Sequence, residues 1–342
     1  MISLSQPWWT QVHGPAQFLE RFCCEAAQGG CFFLRHTQPL PWPCQFKTLV
    51  YERLQREVGH FRQMEPVDLS GDTSEEQFVE RFFPQHTANF LSTTKLSDFL
   101  VRTGCLRSCL IWLRIQDQAL LQNWLDQMSK FAATSEAKDT IVILEGTSPV
   151  PTRRKVKFFD VDQAFSSFDM VQLCTIAANS TPCQEYLKPY LTYLLDQLCG
   201  REPSLVDLLA DQGEALIRNP AAGAAYLKLD SQTMNLRIRR AQLLLLLPIM
   251  EDVRVHSLAL LYSQCQTILP FWDDFGNEIK DVYEMELRHI VHFYVEGRLT
   301  MTQNQWSDVK NTHDIRNRLM HCMVPLPFSD VEKILYQSNR IG

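Results

Sequence analysis

The residues whose types and spacing best suit chemistry lie near the end of the chain, between Thr312 and Met323. Placed on a helix at ~100° per residue, the apolar side chains of this stretch share one face. They are Ile315, Leu319, Cys322 and Met323. The polar side chains Asp314, Asn317 and His321 point roughly the other way, and Arg316 falls between the two faces. The stretch therefore predicts a helix that packs on one side and presents an amide, an imidazole and a guanidinium on the other.

These groups together suit phosphate chemistry. An imidazole exchanges a proton near neutral pH, and a guanidinium holds a phosphate and stabilises the charge that builds on it. Arg316 and His321 could therefore promote attack of an RNA 2′-hydroxyl on the adjacent phosphate without a metal ion. The alternative is a helix whose polar residues simply face solvent, because Arg and His at such spacing are common.

The stretch Asp314-Ile315-Arg316-Asn317-Arg318-Leu319-Met320-His321 resembles the R-x4-6-H signature of the HEPN superfamily, in the form with Asn after the Arg. The resemblance covers about the last quarter of the chain. It implies a small helical bundle that forms a homodimer and cuts RNA at a composite site. Arg316 would then hold the scissile phosphate, His321 would donate or accept a proton, and Asn317 would orient the 2′-hydroxyl or the phosphate. Families of this type often act as toxins or in phage defence.

The first half of the chain alternates apolar strands with helices, which predicts a parallel three-layer α/β domain over 1–167. The predicted strands are 31–35, 63–69, 109–115, 140–145 and 156–160, and the predicted helices between them are 46–57, 75–83, 95–103 and 118–132. A first helix is expected over 15–27. This succession resembles the core of AAA or STAND-type P-loop ATPases.

The predicted phosphate loop, 36–45, departs from that family. It contains three prolines and no glycine, so it lacks the free backbone N–H groups that wrap phosphates. Lys47-Thr48 imitates only the end of the motif. Arg114 stands where a magnesium-binding acid would be needed. We therefore expect a degenerate domain that binds no nucleotide cofactor and has no ATPase activity.

From 168 onward the pattern is helical, with a lid-like middle region over 168–250 and a HEPN-like bundle over 251–342. Helices are expected at 170–178, 184–199, 204–211, 213–217, 234–247, 253–269, 277–296, 302–323 and 329–336. Two basic clusters, 153–157 and 237–240, are either solvated faces or a docking surface for RNA or an acidic partner. His289 and His292 could share a metal ion, but no further ligand completes a set, so no metal site is expected.

Composition limits the other possibilities. The net charge of −6, with 13 acidic against 9 Lys and Arg residues over 250–342, excludes a broad basic RNA surface, so any RNA contact must be a focused site. The eleven cysteines form no C-x2-C pair, and Met1 to Pro7 lacks the features of a secretory signal. The longest apolar run, 243–250, contains Pro248 and is too short to span a bilayer. Reduced thiols and a cytoplasmic location are expected.

The leading hypothesis is a cytoplasmic, prokaryotic, metal-independent endoribonuclease that acts on RNA as a homodimer and is controlled by its N-terminal domain or by a protein partner. One alternative is a non-catalytic interaction protein whose HEPN-like bundle only dimerises, next to a pseudo-ATPase domain. A third reading, an active ATPase of unusual sequence, is opposed by the glycine-free loop.

Overall fold

The structure is a computed structural model that describes residues 3–59, 61–63, 67–69, 75–90, 94–149, 151 and 153–341, with only the backbone described at 63, 67 and 338–341. The chain forms two compact units. The N-terminal unit is Ser5–Asp169, and the C-terminal unit is Met170–Gly342 together with Met1–Leu4. Among the described residues, no helix is both long enough and apolar enough to cross a bilayer.

A parallel sheet forms the centre of the N-terminal unit. Its strands are β1 (Gly30–Arg35), β2 (Arg62–Gln63), β3 (Val67–Leu69), β4 (Cys109–Ile115), β5 (Ile141–Gly146) and β6 (Val156–Asp160). The order is β2-β4-β5-β1-β6, and β3 also pairs with β4. β3 and the last residue of β2 fall within the single strand predicted over 63–69, of which 64–66 lie outside the described residues. The predicted mixed α/β class with a parallel sheet is confirmed.

The α-helices that accompany this sheet in the described part of the unit are α1 (Ser5–Thr10), α2 (His13–Ala26), α3 (Pro43–Val58), α4 (Glu75–Phe82), α5 (Leu96–Thr103) and α6 (Gln118–Phe131). Successive side chains of a strand point to opposite faces of a sheet. On β4, the Trp112 ring contacts Phe22 of α2 and Phe46 of α3. Its neighbours Ile111 and Leu113 enter a separate buried cluster with residues of α4, α5 and α6. Both faces of the sheet are therefore buried.

The C-terminal unit is built mainly from helices. They are α7 (Ser167–Ser180, whose first three residues belong to the N-terminal unit), α8 (Lys188–Cys199), α9 (Ser204–Ala210), α10 (Glu214–Arg218), α11 (Pro220–Gly223), α12 (Ser231–Leu260), α13 (Tyr262–Gln266), α14 (Leu287–Val295), α15 (Gln303–His321) and α16 (Phe328–Ile341). A hairpin of β7 (Phe271–Trp272) and β8 (Glu278–Ile279) precedes α14. Short 3-10 turns occur at Pro84–Asn89, Glu136–Asp139, Glu185–Leu187, Ala225–Leu227 and Val282–Glu284.

The long helix α12 packs against α8, α15 and α16. Its Gln242 is 1% exposed, and its side chain exchanges hydrogen bonds with the backbone N and O of Leu326 at 2.8 and 2.9 Å. The amide also donates to the Tyr190 hydroxyl of α8 at 3.2 Å. Because all three bonds are buried, this residue ties the segment before α16 to α12.

Two helix predictions are wrong. The helices expected at 234–247 and 253–269 are largely one helix, α12, which also continues across position 250. Pro248 is exposed and removes only its own backbone bond, while Leu246 and Met250 on either side of it remain buried.

The single helix expected over 277–296 is instead a strand, a 3-10 turn and α14. Polar side chains cap the beginning of the 3-10 turn and of α14. Asp281 accepts from the backbone N of Tyr283, and Glu286 caps the first turn of α14, where His289 completes a capping box.

Candidate functional site

Helix α15 carries the sequence-predicted site residues. A capping box of Thr302 and Gln305 begins it, and its inward face buries Ile315 and Leu319, as predicted. The helix ends at His321, and Cys322 has extended backbone angles. Cys322 is therefore exposed, and Met323 is 69% exposed. Their predicted place on the packed face is wrong, because helical periodicity stops with the helix.

The polar face of α15 carries a chain of bonded side chains. Lys310 Nζ donates to Asp314 Oδ1 at 2.8 Å, and the same oxygen lies 3.0 Å from His313 Nδ1. His313 Nε2 lies 3.2 Å from Asn317 Nδ2. Since an amide nitrogen only donates, His313 Nε2 is the acceptor and the ring proton sits on Nδ1. The Asn317 amide is thus oriented by an imidazole that a carboxylate holds in turn.

The charge of Asp314 supports this arrangement. Partial burial acts to raise the pKa of its carboxyl, but the hydrogen bonds from Lys310 and His313 outweigh it, so the pKa is lowered. His313 and Lys310 are the two members that sequence reasoning missed. The spacing of His313 four residues before Asn317 was the available signal, since residues at i and i+4 are neighbours on a helix.

Arg316 and His321 lie away from this chain. Arg316 is half-buried on the side of α12, where its charge helps to lower the pKa of Glu251, after the larger effect of the Arg254 hydrogen bonds. His321 is exposed on the last turn. Neither side chain makes a hydrogen bond or ion pair within the described part of the chain. They point ~140° apart around the helix, so one copy of α15 presents them in different directions.

Three exposed apolar side chains surround the end of α15. Met320, Met323 and Val324 are 45%, 69% and 67% exposed. Adjacent apolar side chains of this size, left in contact with water next to polar groups, are typical of surfaces that meet another molecule.

The basic cluster at 237–240 has a structural use that neither reading of the sequence anticipated. Arg239 donates to the backbone oxygens of Leu319 and Met320 at 3.0 and 3.2 Å, which caps the C-terminal end of α15. Arg237 donates to the Leu198 oxygen at the end of α8 at 2.7 Å. Cations at helix C-termini complement the helix dipole and the unpaired carbonyls. Only Arg240 of the three is exposed.

The N-terminal unit holds a second cluster of polar groups, near the carboxyl ends of β1 and β5 and beside Trp112 of β4. Glu145 is 2% exposed and accepts from Trp112 Nε1 at 2.6 Å. His36 Nε2 lies 3.3 Å from its Oε1, and Lys47 Nζ of α3 lies 3.2 Å from its Oε2. The Lys47 ammonium also stands 4.9 Å from the centre of the Trp112 ring.

The charges of this cluster are mutually stabilised. Burial acts to raise the pKa of Glu145, but His36, Lys47 and Trp112 together lower it to about 2. Burial acts to lower the pKa of His36, and the bond to Glu145 reverses this and raises it. Lys47 is thus neutralised by a carboxylate of the chain itself. Nearby, Arg114 forms an ion pair with Asp68.

The two histidines considered as a metal pair are separated in their environments. His289 is buried against the Phe271 ring, whereas His292 is exposed and lies 3.2 Å from Glu296.

Comparison of the chain with models of protein families and with curated proteins found no match. A functional proposal for this chain therefore rests on the geometry of its own residues.

Proposed function

We propose that the chain is a metal-independent endoribonuclease of the HEPN type, with its site on α15. The observation that carries this proposal is that Arg316, although its charge acts on Glu251, makes no hydrogen bond or ion pair within the described residues, while its neighbours do. Arg318 pairs with Asp330 at 2.8 Å, Lys310 with Asp314, and Arg239 with backbone oxygens. Within the described residues, Arg316 alone of these has no bonded partner, and a half-buried guanidinium in that state is suited to an external anion.

The chemistry assigns one task to each residue. Arg316 holds a non-bridging oxygen of the scissile phosphate and stabilises the charge that develops there. His321 takes the proton from the 2′-hydroxyl or returns one to the leaving 5′-oxygen. Asn317, whose amide is oriented by His313, positions the sugar or the phosphate. Attack of the 2′-oxygen on phosphorus breaks the bond to the 5′-oxygen and leaves a 2′,3′-cyclic phosphate.

We propose that two copies of the chain form the working site. The ~140° between Arg316 and His321 on one helix supports this, because one phosphate is reached more readily by groups from two facing helices. The exposed side chains Met320, Met323 and Val324 supply apolar surface beside His321 for such pairing. Light scattering on the full chain should give a dimer, and Met323→Glu should shift it to monomer. A wild-type monomer at tens of micromolar would contradict the composite site.

The remaining architecture follows from the same proposal. The N-terminal unit is a degenerate, three-layer P-loop-like domain, and the C-terminal unit combines a helical middle region with a HEPN-like bundle. The Lys47–Glu145 pair supports a scaffolding or regulatory role for the N-terminal unit rather than ATP hydrolysis. The chain would act in the cytoplasm as a toxin or antiviral effector. Its nuclease activity would be restrained by the N-terminal unit or by a protein partner.

Cleavage of mixed cellular RNA in the presence of EDTA tests the proposal. His321→Ala and Arg316→Ala should each lower the rate by ~10²–10⁴, because each removes a proton-transfer or charge-stabilising group. His292→Ala and Arg298→Ala are matched controls, since both side chains are exposed in the same unit and lie outside the proposed site. Both controls should cleave normally.

The products should carry 2′,3′-cyclic phosphate ends. If the wild type cuts nothing even with an activating partner supplied, or if His321→Ala cuts equally well, the nuclease proposal fails. The non-catalytic dimerisation reading then replaces it.

A further inference from the structure

A cavity of about 420 Å³ lies between α15, α16 and the 3-10 turn at Glu185–Leu187. α16 lies antiparallel to α15 and is held there by the Arg318–Asp330 ion pair at 2.8 Å and the Thr312–Gln337 hydrogen bond at 3.0 Å. The volume of the cavity falls within the ~300–1,000 Å³ typical of small-molecule sites. The proposed function above makes no use of this cavity.

The lining of the cavity includes two carboxyl residues, Asp308 and Glu332, the ammonium of Lys333, and the aromatic rings of Tyr186 and Tyr336. Glu332 Oε1 accepts from the Tyr186 hydroxyl at 3.1 Å, which fixes the direction of the carboxylate. Glu332 Oε2 has no bonded partner among the described residues. Lys333 follows Glu332 in sequence. Its Nζ lies 3.5 Å from Asp330 Oδ1, and its side chain is 57% exposed. Tyr336, at the rim, is 61% exposed.

This set of groups complements one RNA base. Guanine is the base whose Watson–Crick edge places two neighbouring N–H donors, N1 and N2, beside the O6 acceptor. A carboxylate accepts from both donors, an ammonium donates to O6, and a tyrosine ring stacks on the base. Adenine and cytosine place a ring-nitrogen acceptor where the carboxylate would stand, and uracil offers a single donor between two acceptors.

We propose that this cavity binds a guanine base of the substrate RNA, with Glu332 and Lys333 reading its edge and Tyr336 stacking on it. This inference rests on the proposed function for its substrate, and it names the sequence preference of that site.

The position of the cavity along α15 fits such a role. Asn311, which lines it, is six residues from Asn317, or ~9 Å along the helix axis. The polar stripe of α15, with Asp314 and His321 at ~240–260°, lies next to the cavity's Ser307 at ~280°. Asn317 itself lies ~120° around the helix from Asn311, so an RNA strand with a phosphate near Asn317 would reach the cavity by passing across Asp314 and Ser307.

Binding of short labelled oligouridylates tests the proposal, each with a single central guanosine, inosine, adenosine or cytidine. The full chain with His321→Ala is used so that RNA is not cut, and fluorescence anisotropy gives the dissociation constants. Guanosine should bind about tenfold more tightly than inosine, which lacks only the N2 amino group. Adding Glu332→Gln should abolish that difference, because the amide oxygen keeps the Tyr186 bond while the amide nitrogen, which only donates, replaces the oxygen that accepts from the base.

Two further variants separate this effect from general damage. Asp274→Asn removes an exposed carboxylate elsewhere in the same unit and should keep the tenfold preference. Tyr336→Ala should weaken binding of all four oligomers by a similar factor, because stacking on a ring is tolerant of base identity.

The outcomes distinguish the two proposals. Equal affinity for the four oligomers, or no binding of any, overturns the guanine site. If the wild type still cuts RNA, the nuclease proposal survives that result. A guanosine preference that depends on Glu332, in a chain that never cuts RNA, supports the guanine site and overturns the nuclease.

Discussion

Replacing Glu145 by alanine should strongly destabilise the N-terminal unit. The change removes the carboxylate that pairs with Lys47 at 3.2 Å and accepts from Trp112 at 2.6 Å. Both partners are held inside the unit, with the Lys47 side chain 14% exposed and Trp112 fully buried. Neither partner regains full hydration unless the structure opens. The expected loss of folding stability is therefore that of removing one member of a buried charge pair.

Two arguments give a similar magnitude for this loss. Removing one partner of a buried ion pair costs about 3–5 kcal/mol. Separately, the pKa of Glu145 is about 2 against an ordinary 4.5, and ionisation of a carboxyl shifted to this extent adds about 3 kcal/mol to folding stability. Glu145→Gln should cost less than Glu145→Ala, because its amide oxygen can still accept from Trp112.

Urea unfolding followed by tryptophan fluorescence measures the effect. Five of the seven tryptophans lie in the N-terminal unit, so the signal reports mainly on that unit. Glu25→Ala is the control, since its pair with Lys157 at 2.5 Å is about two-fifths exposed and should contribute only ~0–1 kcal/mol. If Glu145→Ala unfolds as the control does, the buried charge cluster is not a main source of stability and the reasoning is refuted.

Three other measurements follow from the same structure. Leu319→Ala should cost ~2–5 kcal/mol in thermal unfolding because the side chain is 1% exposed, while Leu260→Ala, at a side chain that is 54% exposed, should change stability by under ~0.5 kcal/mol; equal effects would contradict the packing. The pKa of His36 is raised in the folded chain. Its contribution to folding stability is therefore fully present below the ordinary pKa of 6.5 and is lost as the pH rises through the pKa of the folded chain. His36→Gln should flatten that part of the stability profile, and an unchanged profile would count against it. Calorimetric titration with ATP and magnesium should show no binding, because Lys47 is held by Glu145 and the segment 36–45, predicted as a loop but helical from Pro43, has three prolines and no glycine; micromolar affinity would restore the ATPase reading.

Periodicity in the sequence determined most of the local structure. The apolar run 140–145 is predicted as a strand, and it forms β5, every residue of which is buried. The helical spacing of Ile315 and Leu319 predicts their burial on α15, which the structure confirms. Such patterns are readable because a strand or helix that packs on one side must repeat apolar residues at its own period. The same argument fails beyond the helix end, at Cys322 and Met323.

Partners distant in sequence were decided by the tertiary structure alone. The Lys47–Glu145 pair exists because β5 lies beside β1, which precedes α3, and no local pattern encodes that register. Arg239 reads as part of a basic cluster, yet packing of α12 against α15 turns it into a helix cap. Local sequence determines which face of an element is apolar. The choice of the group that neutralises a given charge depends on how those faces meet, because an ion pair or hydrogen bond requires its two atoms within a few ångströms.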